Sequence, residues 1–245
     1  MEIYNHNKIY QQNFFVFGHR GVPSLFLENT LDSFKKAIEL GYDGIEMDIM
    51  STKDGYLIIN HNLALKSKKN SQEELVSNIN YNQLKHKNIP LLKDVLSSIG
   101  HQTKINIEIK DQGKISVVVA KKLIQELKEF NLIDNIIISS FNPFIIKKIK
   151  KIDDRFPTAW IWQEDNFKFY NLYYLVLKYF KPNAIHVSHR IATQKLIDKI
   201  HIKGLKVLAY TINNREDLNF LISKNIDGIF TDKPEILNLA NQITH

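Results

Sequence analysis

The 245-residue chain has no cysteine. Disulfides and thiolate metal centres are therefore excluded, and any metal must be held by oxygen or imidazole ligands, a donor set that favours a hard cation. No run is apolar for long enough to span a membrane, and the start, Met1 to Lys8, lacks the basic stretch and apolar core of an export signal. The expectation is a cytoplasmic protein with no integral membrane segment. There is no glycine-rich phosphate loop after the first strand, no GxGxxG fingerprint and no internal repeat. The lysines form no long block and do not interleave with aromatics, so the net charge of +7 gives no sign of a nucleic-acid groove. Lys, Asn and Ile are abundant on every kind of face, and a general bias in residue usage explains the charge as well as an anionic partner does.

What is present centres on Gly44-Ile45-Glu46-Met47-Asp48-Ile49-Met50, followed by Lys53-Asp54-Gly55 and the return run Leu57-Ile58-Ile59-Asn60-His61. Alternation in the first run and the Asp-Gly turn signal predict two antiparallel strands joined by a short loop. Glu46 and Asp48 share one face. A hairpin centred between Lys53 and Asp54 sets Glu46 opposite His61, with the Cβ atoms about 5 Å apart. Burying two carboxylates and an imidazole is costly unless a cation or substrate compensates them, so the chemistry is expected here. The alternative buries Ile45, Met47 and Ile49 and turns the charged face to solvent.

The remainder alternates between two patterns. A buried strand, Phe14 to Gly18, delivers His19-Arg20-Gly21 at its end. A helix over 31–40 follows, capped by Asn29 or Thr30. After the hairpin, 62–89 reads as a short polar excursion with helical patches around Glu73 to Val76 and Tyr81 to Lys85. A helix to Gly100 leads to the strand Lys104 to Lys110, on which Asn106, Glu108 and Lys110 share a face. Strand-helix pairs then repeat, with strands over 135–140, 157–162, 184–188, 206–212 and 228–232. Eight strands, discounting the hairpin return, predict one (β/α)8 TIM barrel spanning 1–245, with a β-hairpin at strand 2 and a small insertion at 62–89. An open doubly wound sheet is the competing architecture, weakened by the missing phosphate loop.

In such a barrel the active site lies at the C-terminal ends of the strands, where His19, Arg20, Glu46, Asp48, Glu108 and Lys110 fall. Three carboxylates without a thiolate suit Mg²⁺ or Ca²⁺. His19 and His61 supply an acid and a base, while Arg20 and Lys110 suit an anion. The set reads as metal-assisted cleavage of a phosphate ester. Trp160, Trp162 and Tyr210 on late strands offer an aromatic wall for an alcohol group, with core packing the reading for at least one of the tryptophans. His86, His101 and His201 are expected on the surface, and His186 and His189 are not assigned to the site, a place at the pocket rim being the alternative for either. The aromatic stretch 167–174 is read as ordinary packing, with a lipid contact as the alternative.

His19-Arg20-Gly21, Glu28-Asn29-Thr30, Glu46-x-Asp48, His61, Glu108-x-Lys110 and Thr231-Asp232 occur in an order that resembles the glycerophosphodiester phosphodiesterase family, from Gly18 to Pro234. The resemblance implies a (β/α)8 barrel with a divalent cation on Glu46, Asp48 and Glu108, and His19 and His61 as general acid and base. It also implies phosphate contacts from Arg20 and Lys110, a pocket lined in part by Ser140-Phe141, and hydrolysis of glycerophosphodiesters to sn-glycerol 3-phosphate and an alcohol. The family usually has His-Asp at the second histidine, where this chain has His61-Asn62. Lysophospholipase D-like activity, or a weakly active or repurposed barrel, are the alternatives that this departure leaves.

Overall fold

A computed structural model describes residues 8–10, 14–66, 72–164 and 170–244. Its strands are β1 (Phe15–Gly18), β2 (Gly44–Ser51), β3 (Leu57–Ile59), β4 (Ala64–Lys66), β5 (Glu73–Leu75), β6 (Lys104–Ile109), β7 (Ile136–Ser140), β8 (Thr158–Trp162), β9 (Ala184–Ser188), β10 (Lys206–Tyr210) and β11 (Gly228–Thr231). The helices are α1 (Leu31–Glu39), α2 (Leu92–Ile99), α3 (Ile115–Glu129), α4 (Pro143–Ile152), α5 (Tyr170–Phe180), α6 (Gln194–His201), α7 (Arg215–Ile222) and α8 (Pro234–Thr244). Around the sheet the order is β1-β11-β10-β9-β8-β7-β6-β2, with β3 added antiparallel outside β2. β1 pairs in parallel with both β11 and β2, which closes the eight strands into the expected TIM barrel.

Closure buries both faces of every strand, and the side chains divide by parity. Ile45, Met47 and Ile49 of β2 and Ile105, Ile107 and Ile109 of β6 join the layer between strands and helices. The opposite parity forms a separate cluster inside the barrel, built from Phe15, Phe17, Ile137, Ala159, Ala184, Leu208 and Phe230 and stoppered by Ile9 and Tyr10. Both candidate faces of β2 are thus buried, including Glu46 and Asp48. Short side chains start several of the helices at the barrel mouth. Thr30 accepts a bond from the Ser33 N–H ahead of α1, Asn142 from the Phe144 N–H ahead of α4, and Asn214 from the Asp217 N–H ahead of α7.

The hairpin register differs from the expectation by one residue. Ile49, Met50 and Ser51 face Ile59, Ile58 and Leu57, and the Asn60 N–H donates to the Asp48 carbonyl at 2.9 Å. The turn is centred on Asp54, because the Thr52 N–H bonds the Tyr56 carbonyl and the Thr52 hydroxyl bonds Asp54. His61 therefore does not face Glu46 across a ladder. A one-residue slip exchanges the faces of a strand, and His61 reaches the barrel mouth only because β3 ends at Ile59 and the chain bends away at His61.

The excursion also differs in part. Glu73–Leu75 is a strand, paired antiparallel with β4 so that Glu73 lies opposite Lys66. Single 3₁₀ turns at Val76–Asn78, Tyr81–Gln83 and Lys85–Lys87 follow it. A cross-strand charge pair and a small apolar core of Val76, Ile79, Leu84 and Leu91 against Met50 and Ile58 outweigh the helical leaning of the local sequence.

Candidate active site

The β1–α1 turn builds one side of the mouth. Arg20 has φ +55° and Gly21 φ +88°, and a Cβ on Gly21 would collide with Ser33. Only glycine fits that position, and the turn aims the Arg20 N–H at Glu46 Oε2, 2.9 Å away. The Arg20 guanidinium forms a fork on Glu28, with Nη1 donating at 2.9 and 3.1 Å, and its Nε lies 3.2 Å from Asp48 Oδ2. Lys110 Nζ lies 2.8 Å from Glu108 Oε1 and 3.3 Å from Asp48 Oδ1. Asn29 holds Asp48 from the other side, its amide donating to Oδ2 at 2.9 Å and its Oδ1 accepting the Asp48 N–H at 3.2 Å.

Among the described residues, Glu46, Asp48 and Glu108 form the acidic group able to hold a metal, offering oxygens within 4.8 Å of one another. β2 and β6 supply them in register, with Asp48 beside Glu108. Burial, Asp48 and Glu108 push the Glu46 carboxyl well above its ordinary range despite Arg20. Burial and Asp48 raise Glu108 against the pull of Lys110. For Asp48, burial acts upward, but Lys110, Arg20 and the Asn29 bond outweigh it and hold the carboxyl low. Two buried carboxylates and a half-buried one thus face two cationic side chains, and the surplus negative charge together with an all-oxygen donor set fits a hard divalent cation.

The histidines flank this cluster and differ in their supports. His19 Nδ1 lies 2.8 Å from Asp232 Oδ1, and Asp232 is held in turn by Asn213, whose amide donates to Oδ2 at 2.6 Å and whose Oδ1 accepts the Asp232 N–H at 3.0 Å. His61 Nδ1 lies 3.1 Å from the Asn62 side-chain oxygen. In both rings Nδ1 is occupied, which leaves Nε2 for other work. Burial and Lys110 push the His61 pKa down, with Asp48 opposing. The sequence alone named Thr231-Asp232 without a role and missed Asn213 altogether; its placement just beyond β10, at the mouth end of a strand, was the available signal.

A cavity of about 230 Å³ joins these groups, lined among others by His19, Arg20, Glu46, His61, Glu108 and Lys110. Phe141 and Tyr210 line it too, their rings edge to face with centroids 6.4 Å apart, and the Tyr210 hydroxyl donates to the Trp162 carbonyl at 2.9 Å. Trp160 does not line it. Its ring belongs to the layer between strands and helices and donates from Nε1 to the Phe141 carbonyl at 3.1 Å. Parity is the reason: on β8 the inward residues are Ala159 and Ile161, which sends Trp160 and Trp162 outward. His186 lines the cavity but lies deeper than its rim, 2% exposed and with its ring centroid 4.8 Å from that of Phe230. His189 sits outside the cavity, 3.9 Å from Asp217. His201 bonds Asp227 at 2.7 Å. Of the aromatic stretch 167–174, residues 167–169 lie outside the described residues, as do the side chains of Tyr170, Asn171, Tyr173 and Tyr174.

Burial depresses the pKa of His186 to about 3. Between that value and the ordinary pKa of about 6.5, the unfolded chain binds a proton that the folded protein refuses. Stability is therefore lost as pH falls from about 6.5 toward 3, with a slope of up to about 1.4 kcal/mol per pH unit from this residue. Comparing denaturation midpoints of the native protein and His186→Phe at pH 6.5, 5.5 and 4.5 checks this. The variant is expected to lose less stability across the series, and parallel curves would refute it.

The glycerophosphoryl diester phosphodiesterase family model matches residues 19–236. The chain belongs to this family. It is accordingly a phosphoric diester hydrolase. It is 30% identical over 242 residues to a glycerophosphodiester phosphodiesterase of Caldanaerobacter subterraneus subsp. tengcongensis, covering 93% of this chain and 98% of the relative. The crystal structure of the Thermotoga maritima glycerophosphodiester phosphodiesterase is similar with a TM-score of 0.78 and 26% identity, covering 94% of this chain and 99% of that one. A phosphodiesterase of Oleispira antarctica, solved in complex with the product sn-glycerol-3-phosphate, matches in fold with a TM-score of 0.79 and 24% identity over 93% of this chain and 96% of that one. No helix of the described residues of this phosphodiesterase is long and apolar enough to cross a membrane.

Proposed function

We propose that the protein hydrolyses glycerophosphodiesters to sn-glycerol 3-phosphate and an alcohol, with His61 as general base and His19 as general acid. The observation that carries this reading is the convergence on one cavity of two histidines, each anchored through Nδ1, with a carboxylate triad and two cationic side chains. Glu46, Asp48 and Glu108 would hold a divalent cation, Mg²⁺ or Ca²⁺, which when bound supplies Lewis-acid stabilisation of charge on the phosphoryl oxygens. Arg20 and Lys110 add positive charge on the same side, and Glu28 and Asn29 keep Arg20 and Asp48 in place. His61, its pKa lowered by burial and Lys110, is neutral at pH 7 and takes a proton at Nε2 from the attacking water. As the water oxygen bonds to phosphorus, the bond from phosphorus to the alcohol oxygen breaks, and His19 gives that oxygen a proton from Nε2. Asp232 fixes the His19 ring throughout. Phe141 and Tyr210 supply an apolar wall for a substrate arm.

The test is release of sn-glycerol 3-phosphate from glycerophosphocholine and glycerophosphoethanolamine with Mg²⁺, Ca²⁺ or a chelator present. Release that requires the cation supports the reading. Folded protein with no release in any condition would point to a repurposed barrel, and preference for a lysophospholipid would point to lysophospholipase D-like activity. Asn62 gives a further expectation. Its amide occupies the His61 Nδ1 without charge, so Asn62→Asp, by placing a carboxylate there, favours the imidazolium and raises the His61 pKa. The acidic limb of the rate profile in kcat/KM should move to higher pH in Asn62→Asp, because the base must then be deprotonated against a neighbouring negative charge. An unmoved limb would separate that limb from His61.

A further inference from the structure

The apolar plug inside the barrel is topped by two polar groups that the catalytic proposal does not use. His186, on β9 directly above Ala184, is 2% exposed, lines the cavity, and has no hydrogen-bond partner for Nε2. Asn106, three strands around the barrel on β6, is also 2% exposed and lines the same cavity. Its amide nitrogen donates to the Ser139 hydroxyl at 3.0 Å, which fixes the orientation and leaves Oδ1 buried and unpaired. Buried polar atoms without partners are rare because each costs the full desolvation of the group. Of the four on this cavity, Arg20 Nε and Glu108 Oε1 lie in the ion pairs already described, and Asn106 Oδ1 and His186 Nε2 are left for a ligand.

The chemistry of that ligand follows from the pair. Asn106 Oδ1 accepts only. His186 is held neutral by its surroundings, and its Nε2 donates or accepts according to the tautomer. A hydroxyl both donates and accepts, so it can satisfy either atom, whereas an anion meets no positive charge here and an alkyl group leaves both atoms unpaired. Arg20 and Lys110, the cationic groups of the cavity, are engaged by Glu28, Asp48 and Glu108, which leaves His186 and Asn106 for an uncharged part of the substrate.

We propose that His186 Nε2 and Asn106 Oδ1 bind free hydroxyls of the substrate's glycerol arm, and that they select glycerol esters against plain alkyl esters of the same phosphodiester. This rests on the glycerophosphodiesterase reading above and adds the residues that recognise the polyol. A site built to bond a hydroxyl discriminates strongly against the analogue without it, because its own buried groups are then left unpaired.

The experiment compares glycerophosphocholine with propylphosphocholine, which carry the same choline and differ only in the two hydroxyls, by choline release under one assay. His186→Phe keeps a ring against Phe230 and removes both nitrogens. The expected result is a fall of about 10- to 100-fold in kcat/KM for glycerophosphocholine with little change for propylphosphocholine, so that the ratio collapses. His186→Gln, which retains a donor and an acceptor, should recover part of the ratio. Calorimetry with sn-glycerol 3-phosphate and propyl phosphate should show the same loss of preference without turnover. Asn106→Leu reads the ratio from another strand if His186→Phe does not fold. Native protein that neither hydrolyses glycerophosphocholine nor binds glycerol 3-phosphate overturns the functional reading and this inference with it. Native protein that does both, with variants that lower the two substrates equally, overturns this inference alone and leaves His186 a packing residue.

Discussion

Replacing His61 or His19 by alanine is expected to lower kcat by about 10²- to 10⁴-fold while leaving divalent cation affinity nearly unchanged, since general acid or base catalysis is typically worth that factor and neither ring belongs to the carboxylate triad. The two variants should part company when the leaving group changes. An aryl phosphodiester leaves as a stable phenolate and needs little protonation, so it should rescue His19→Ala, the variant without the proposed acid. His61→Ala lacks the group that takes the proton from water and should remain slow on the same ester. Kinetics of both variants on glycerophosphocholine and on a p-nitrophenyl diester make the comparison. Rescue of His61→Ala alone would exchange the two roles, and equal rescue or unslowed turnover would end the two-histidine mechanism. The supports explain why the rings are not equivalent: a carboxylate stands behind His19, and a neutral amide stands behind His61.

The second large effect concerns Glu46. Burial, Asp48 and Glu108 raise its pKa, so in the folded protein without a divalent cation its proton is held more tightly than in the unfolded chain. A carboxyl whose folded pKa is raised contributes stability below its unfolded pKa of about 4.3, and this contribution is lost as pH rises through the folded value. Glu46→Gln removes that loss and keeps an oxygen able to accept the Arg20 N–H. In the presence of a chelator its denaturation midpoint at pH 8 should therefore equal or exceed that of the native protein, with a smaller difference at pH 5. With cation the order should reverse. A ligand at about 100 times its dissociation constant stabilises the native protein by about 2.7 kcal/mol, whereas the variant, having lost an anionic ligand, should bind at least about 10²-fold more weakly and gain almost nothing. Activity should fall with the affinity. Thermal denaturation and titration calorimetry with Mg²⁺ and Ca²⁺ measure both, and unchanged affinity in Glu46→Gln, Asp48→Asn and Glu108→Gln together would place the cation elsewhere.

Strand and helix placement was legible because closed barrels are written in local terms. β-branched runs alternate with amphipathic segments, short capping residues open the helices, and the ends of the strands carry His19, Arg20, Glu46, Asp48, Glu108 and Lys110. Which face of β2 is buried was not legible, because closure buries both, and no alternation pattern distinguishes a barrel interior from a helix layer. Trp160 went to the wrong side for the same reason: its parity on β8 is set by pairing with β7 and β9. The hairpin register depended on side-chain bonds inside the loop, where Thr52 holds Asp54 and moves the centre of the turn by half a residue. His61 then reaches the cavity by leaving the ladder, which no strand pattern encodes. The excursion yielded its local preference to a cross-strand pairing and a core shared with Met50 and Ile58. Asp232 behind His19, Asn213 behind Asp232, and the unpaired atoms of His186 and Asn106 are products of residues far apart in the chain, His19 and Asp232 being 213 positions apart. The sequence by itself determined the elements and the ionisable groups at their ends, since both depend on neighbours along the chain. Only the tertiary structure decided which groups share a cavity and which are left without partners, because barrel closure brings strands together across sequence distances that no local preference spans.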